Sequence, residues 1–175
     1  IRSLAASARF LNLFAYTGPA TAYAVAGGAR SSLSLDLSST YLAWAKANLD
    51  LNGLGGESHQ FLKTDCLAWL ARAAQAPERF DLIFLDPPTF SSSKSMDSTL
   101  DVQRDHVALI RACLRILAPG GRLLFTCNQR KFRMDLDSLE DLVLEDIGAR
   151  LLPRDFERNP RIHCGWMIRK AHAAT

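Results

Sequence analysis

Short apolar runs rich in branched and aromatic residues alternate along the chain with longer stretches in which apolar side chains recur every three or four positions. Strands and helices taking turns produce this alternation, and it predicts an α/β fold with a mostly parallel sheet. Strands are expected at 10–15, 31–36, 58–63, 80–86 and 121–127. Pro19 falls at a first helical position, Ala20 to Ala26 favour the helix, and Gly27-Gly28 stop it. Ser38 caps a second helix, whose Tyr41, Leu42, Ala45 and Leu49 share one face and which ends at Asn52-Gly53. Asp65 caps a third. A fourth covers 100–117, with Val102, His106, Leu109, Ile110, Leu114 and Leu117 inward and Pro119-Gly120-Gly121 closing it, and a fifth covers 136–147. The last segment offers two strand-like stretches, 150–156 and 163–169, around Glu157-Arg158-Asn159-Pro160, which reads as a hairpin turn.

Composition narrows this picture little. With 175 residues and 48% hydrophobic content, the chain suffices for one domain with a sizeable core. Opening on Ile1 rather than methionine, residues 1–175 read as a single domain belonging to a longer polypeptide. A net charge of +3 suits an anionic partner without demanding one. The cysteines Cys66, Cys113, Cys127 and Cys164 form neither a CxxC pair nor a metal-ligand spacing, so a reducing cytoplasm, no disulfide framework and no metal are expected. No apolar run approaches the roughly 18 residues that cross a bilayer, so no membrane partner is expected.

Open α/β sheets bind ligands beyond the carboxyl ends of their strands, and three such ends here carry acids or lead into one. Asp36 ends the second strand about 20 residues after the first turn, the separation at which an acid accepts hydrogen bonds from ribose hydroxyls. Asp65 follows the third strand and Asp86 ends the fourth. The first turn, LNLFAYTGPAT, contains only Gly18 where a dinucleotide pyrophosphate needs GxGxxG, which argues against a nicotinamide dehydrogenase. A nucleoside without phosphates, carrying a small zwitterion, suits it better.

The runs NLFAYTG, YLAWAKANLDLNGL, DPPTFSSSK, DVQRDH, RKFRMDLD and RDFERNPRIHCGW, in this order, resemble a known family, the class I S-adenosylmethionine-dependent RNA methyltransferases. More narrowly, they are similar to the C-terminal domain of the bifunctional bacterial 23S ribosomal RNA guanine methyltransferases. The resemblance implies a Rossmann-like seven-stranded sheet with helices on both faces and a C-terminal antiparallel hairpin. It also implies S-adenosylmethionine as cofactor, 23S ribosomal RNA as substrate, guanine N7 as acceptor, and upstream domains of the same polypeptide that help grip the RNA. By the same resemblance Asn12, Phe14, Tyr16, Thr17 and Gly18 hold the methionine part of the cofactor, Asp36 the ribose, Leu37 the adenine face, and Asp65 and Cys66 the adenine edge.

In the DPPTF run, Pro87 and Pro88 force extended geometry on the residue before each and stiffen a ledge at the strand end. Phe90 offers a face on which an extruded base can stack. Guanine N7 carries a free lone pair, so little acid/base chemistry is needed. Asp86 is expected to meet the cofactor ammonium or base N–H donors, with guanine O6 served by Asn128, Lys94 or a backbone N–H. Arg130, Lys131, Phe132 and Arg133 interleave cations with an aromatic, the pattern for tracking a phosphate backbone and stacking bases, and Arg158, Arg161 and His163 extend that surface. Two alternatives stay open: methylation of cytosine C5 with Cys127 as covalent nucleophile, and a cofactor-binding module inactive without its upstream RNA-binding parts.

Overall fold

The structure, a computed structural model, describes residues 1–92, 99–151 and 163–171. Strand β1 (Arg9–Leu13) leads through helix α1 (Pro19–Ala26) to β2 (Ser31–Asp36), and α2 (Ser39–Leu51) leads on to β3 (His59–Lys63). The chain returns through α3 (Cys66–Ala73) to β4 (Phe80–Leu85), which pairs with β1 on the side opposite β2. A small ribbon of β5 (Phe90–Ser91) and β6 (Leu100–Asp101) precedes α4 (Val102–Ile116) and β7 (Leu117–Cys127). Then come β8 (Leu142–Asp146), α5 (Gly148–Leu151) and β9 (Cys164–Lys170). The main sheet has seven strands in the order β3-β2-β1-β4-β7-β9-β8, parallel as far as β7, with β9 antiparallel to both its neighbours.

Alternation along the strands divides the core. Leu11, Leu13, Leu35, Ile83, Leu85, Leu123 and Phe125 gather with α3 and α4 through Leu70, Leu109, Ile110 and Cys113. Each such buried aliphatic side chain contributes about 1.5–3 kcal/mol. The opposite face is smaller: Phe10 and Leu82 pack on Ala20, Ala24 and Ala29. Beneath α1 it turns polar, where Asn12 Nδ2 donates to Thr21 Oγ1 at 2.9 Å and Thr21 shares a 2.7 Å hydroxyl bond with Ser34.

The C-terminal third departs from the sequence expectation. Residues 136–147 do not form a fifth helix; a single 3-10 turn at Asp137–Leu139 precedes β8. Leu136, Leu139, Val143 and Ile147 recur at helical spacing, but Leu142 and Leu144 alternate with exposed Val143 and Glu145, and pairing with β9 decides in favour of the strand. The partner of β9 is therefore β8 and not the stretch 150–156, whose first residues lie in α5 and whose remainder, with the turn Glu157-Arg158-Asn159-Pro160, lies outside the described residues. Pro119-Gly120-Gly121 does not close α4 from outside either. It sits within β7, where β4 advances from Phe80 to Leu82 while β7 advances from Leu117 to Arg122, so the intervening residues bulge, with Gly120 at φ +71°.

Candidate active site

The strand order reverses between β1 and β4, and a doubly wound sheet opens its crevice at such a switch point. At the end of β1 the backbone turns sharply: Phe14, Tyr16 and Gly18 have φ of +60°, +50° and +76°. For Phe14 and Tyr16 this costs about 1–3 kcal/mol each. The conformation aims Tyr16 N–H at Asp36 Oδ2 (2.9 Å), while Ser38 N–H donates to Asp36 Oδ1 (2.8 Å). Both carboxylate oxygens are thus fixed by backbone, and each keeps a further lone pair for a ligand hydroxyl. Asn48 Nδ2 holds Thr17 O at 2.9 Å. Gly18 must be glycine on two counts, its left-handed φ and a Cβ that would lie 2.7 Å from Ala45 Cβ.

Other residues singled out for the ligand divide into those facing the crevice and those supporting it. Leu37 is half-buried next to Asp36. Asp65 caps α3 through Oδ1, which accepts from Leu67 N–H (2.7 Å) and Ala68 N–H (3.2 Å), and Oδ2 has no protein partner among the described residues. Cys66 follows it with a buried side chain, its thiol near Leu35 O and pushed up to about 12 by that burial. Asn12 is 1% exposed, with its Nδ2 donating to Thr21 beneath the turn.

On the other wall, the register Leu85 opposite Phe125 sets Asp86 beside Thr126, whose hydroxyl donates to Asp86 Oδ1 at 2.8 Å. Burial holds the Asp86 carboxyl above its ordinary range, only partly offset by the Thr126 bond and the charge of His163. Asp86, Thr126 and His163 line a cavity of about 910 Å³ with Tyr23, Phe84 and Leu124 and with the N-terminal residues Ile1 to Ser3, and neither the turn at Gly18 nor Asp36 or Asp65 lines it. Asn128 Oδ1 meets His163 Nδ1 at 2.9 Å. Thr126 escaped the sequence reading because only strand register brings it to Asp86.

Pro87 is buried, whereas Pro88, Thr89 and Phe90 project; Phe90 is 59% exposed. Past β7, Arg130, Lys131 and Arg133 are exposed and their side chains have no acidic partner among the described residues. Phe132, expected to stack on bases, is instead buried against His106, Phe125 and Trp166 at ring distances of 4.9, 5.6 and 5.4 Å. An aromatic in a run of cations reads alike whether it faces RNA or core. Cys127 is buried opposite Cys164, its thiol pushed up to about 12 by that burial. Lys94, Arg158 and Arg161 lie outside the described residues.

These groups fit a nucleoside with a charged tail. Asp36 is preset for vicinal hydroxyls, Asp65 keeps a free oxygen, and the first amides of α1, behind Gly18, have no partner within the helix. Two buried acceptors, Asn12 Oδ1 and Gln129 Oε1, lack protein donors among the described residues, one at the end of β1 and one just past β7. A cradle for pyrophosphate is missing from the turn, which has a single glycine. Among the described residues there is no group of three potential metal ligands, and no helix is long and apolar enough to cross a membrane.

Known proteins agree with this chemistry. The chain is 56% identical over all of its 175 residues to a protein of Allochromatium vinosum named ribosomal RNA large subunit methyltransferase K/L, covering 24% of that protein. It is 53% identical over 161 residues to the protein of the same name in Vibrio cholerae, which is 91% of this chain and 22% of that one. The chain thus spans about a quarter of the length of these curated relatives. Among solved structures, SMU.776 in complex with SAH superposes with a TM-score of 0.79 at 26% identity, covering 95% of this chain and 46% of that one. A ribosomal protein L11 methylase of Lactobacillus delbrueckii shares the fold, with a TM-score of 0.65 at 18% identity over 94% of this chain and 71% of its own. Residues 1–158 match the model of the S-adenosylmethionine-dependent methyltransferases, and with the sheet order, the turn at Gly18 and the fixed carboxylate of Asp36 in place, the chain belongs to that family and takes S-adenosylmethionine as its cofactor.

Proposed function

We propose that this domain methylates guanine N7 in 23S ribosomal RNA, with the base held at the loop from Asp86 to Phe90. The observation that carries the reading is the grouping of an exposed aromatic (Phe90), a hydrogen-bonding pair (Asn128 and His163) and three cations without acidic partners on the β4–β7 side of the crevice. The names of relatives more than 50% identical support the same substrate class. Bound S-adenosylmethionine supplies an electrophilic methyl on a sulfonium. Everything else is positioning, since N7 presents its lone pair without losing a proton. Asp36 fixes the ribose, and Asp86, steadied by Thr126, takes the cofactor ammonium or base N–H donors. With its Oδ1 engaged by His163, Asn128 keeps Nδ2 as the donor for guanine O6. Pro88 and Phe90 form the ledge on which the base rests.

Upstream domains of a longer, cytoplasmic polypeptide complete the grip on RNA in this reading, in keeping with a chain that spans about a quarter of its relatives. Mass analysis of nucleosides from 23S ribosomal RNA incubated with enzyme and cofactor tests the acceptor: 7-methylguanosine is expected, and 5-methylcytidine overturns it. The cytosine reading requires a thiolate at Cys127, which burial opposes. A Cys127→Ser variant is therefore expected to keep its rate within about twofold, against the loss of covalent catalysis that a nucleophile would suffer. Calorimetry that finds cofactor uptake by residues 1–175 but methyl transfer only by the full-length polypeptide would mark the domain as a dependent half.

A further inference from the structure

The sequence DVQRDH, from Asp101 to His106, opens α4 and joins the two loops that the proposed function assigns to RNA. On one side, Val102 N–H donates to Thr89 O at 3.2 Å, and Phe90 pairs with Asp101 in the β5–β6 ribbon, so the base-stacking ledge is tied to the start of the helix. On the other side lies the basic loop. Gln103 forms a reciprocal pair with the backbone of Arg133: its Nε2 donates to Arg133 O at 2.9 Å and its Oε1 accepts Arg133 N–H at 2.9 Å. One side chain thereby imitates a strand neighbour. One turn on, His106 Nε2 meets Asp135 N–H at 3.1 Å, while its Nδ1 lies 2.9 Å from Gln103 O, so both ring nitrogens are engaged. Phe132, wedged against His106, Phe125 and Trp166, is the third anchor.

Residues 132, 133 and 135 are thus held from within, Phe132 by its ring and Arg133 and Asp135 by their backbones, while the side chains of Arg130, Lys131 and Arg133 stay outside and free of acids among the described residues. We infer that Gln103 and His106 are positioning residues: they hold the basic loop in the conformation that presents its cations to an RNA phosphate backbone at a fixed offset from the base ledge. Flexible cations would bind phosphate equally well but would not register it against the methyl donor. This inference rests on the RNA reading.

The test uses the full-length polypeptide and an in vitro transcript of 23S ribosomal RNA. Gln103 is partly exposed and amenable to substitution, whereas His106 is buried, so the variants are Gln103→Ala and Gln103→Glu, alone and combined with replacement of Arg130, Lys131 and Arg133 by alanine. Gln103→Ala is expected to weaken RNA binding on the order of tenfold and to flatten its salt dependence toward that of the triple variant, with the thermal midpoint and S-adenosylmethionine affinity unchanged. Gln103→Glu, which keeps the acceptor and loses the donor, falls between. In the triple-alanine background the Gln103 substitution adds little, because both act through one loop. Full additivity, or loss of cofactor binding in step with RNA binding, would assign Gln103 to general stability and overturn the inference. A wild-type protein that binds no RNA would overturn the functional reading itself, whereas wild-type binding that Gln103→Ala leaves untouched would overturn the positioning role alone.

Discussion

Asp86 combines chemistry and cost in one side chain. Burial holds its carboxyl above the ordinary value of 3.8, so between that value and the raised one the folded protein keeps a proton that the unfolded chain releases. Stability therefore falls as pH climbs through this window, and above it the ionised carboxylate is a net burden. An Asp86→Asn variant is expected to melt higher than wild type at pH 7, with the difference shrinking as pH approaches 4, while methyl transfer drops about a hundredfold or more; scanning calorimetry across pH checks the first part, and a pH-independent difference would refute it. Gly18→Ala should cost about 1–3 kcal/mol in denaturant titrations, because its Cβ meets Ala45 Cβ at 2.7 Å in a left-handed backbone. Adding Ala45→Gly should recover part of that loss, leaving the strain in φ. Asp36 could be singled out because it ends its strand, whereas Gly18 stood out as the one glycine of the first turn. For Asn12, Cys66 and Phe132 residue type alone did not disclose the burial that the structure shows.

At the scale of elements, Phe132 and Lys131 are neighbours with opposite duties. Phe132→Ala is expected to lower stability by about 3–5 kcal/mol through the cluster with His106, Phe125 and Trp166, whereas Lys131→Ala should leave the denaturation midpoint unchanged and weaken RNA binding in a salt-dependent way. Urea melts and filter binding at two salt concentrations separate the two. The parallel half of the sheet was legible almost strand by strand, since β4 is a nearly continuous apolar run and caps such as Ser38 and Asp65 mark where helices follow the more polar β2 and β3. Beyond β7 the reading failed. Residues 142–146 form an edge strand whose single buried face leaves only a faint period of two, and the antiparallel partner of β9 is separated from it by α5 instead of a tight turn. A pairing that skips an element leaves no local mark in the sequence.

For the molecule as a whole, the two faces of the sheet are unequally cemented. Branched aliphatics and aromatics fill the side of α3 and α4, whereas α1 sets only its own small alanines against Phe10 and Leu82 and adds a relay of amide and hydroxyl groups from Asn12 through Thr21 to Ser34. A helix with so little oily footing opens at a lower free energy than its counterparts. Amide protons of α1 are expected to exchange with deuterium sooner than those of α4, and saturating S-adenosylmethionine should slow α1 while leaving α4 nearly unaltered; equal protection of both helices without ligand would contradict this. The unequal footing makes α1 the natural reporter of occupancy: a fluorophore or isotopic label placed there would register the arrival and departure of cofactor with no reference to turnover.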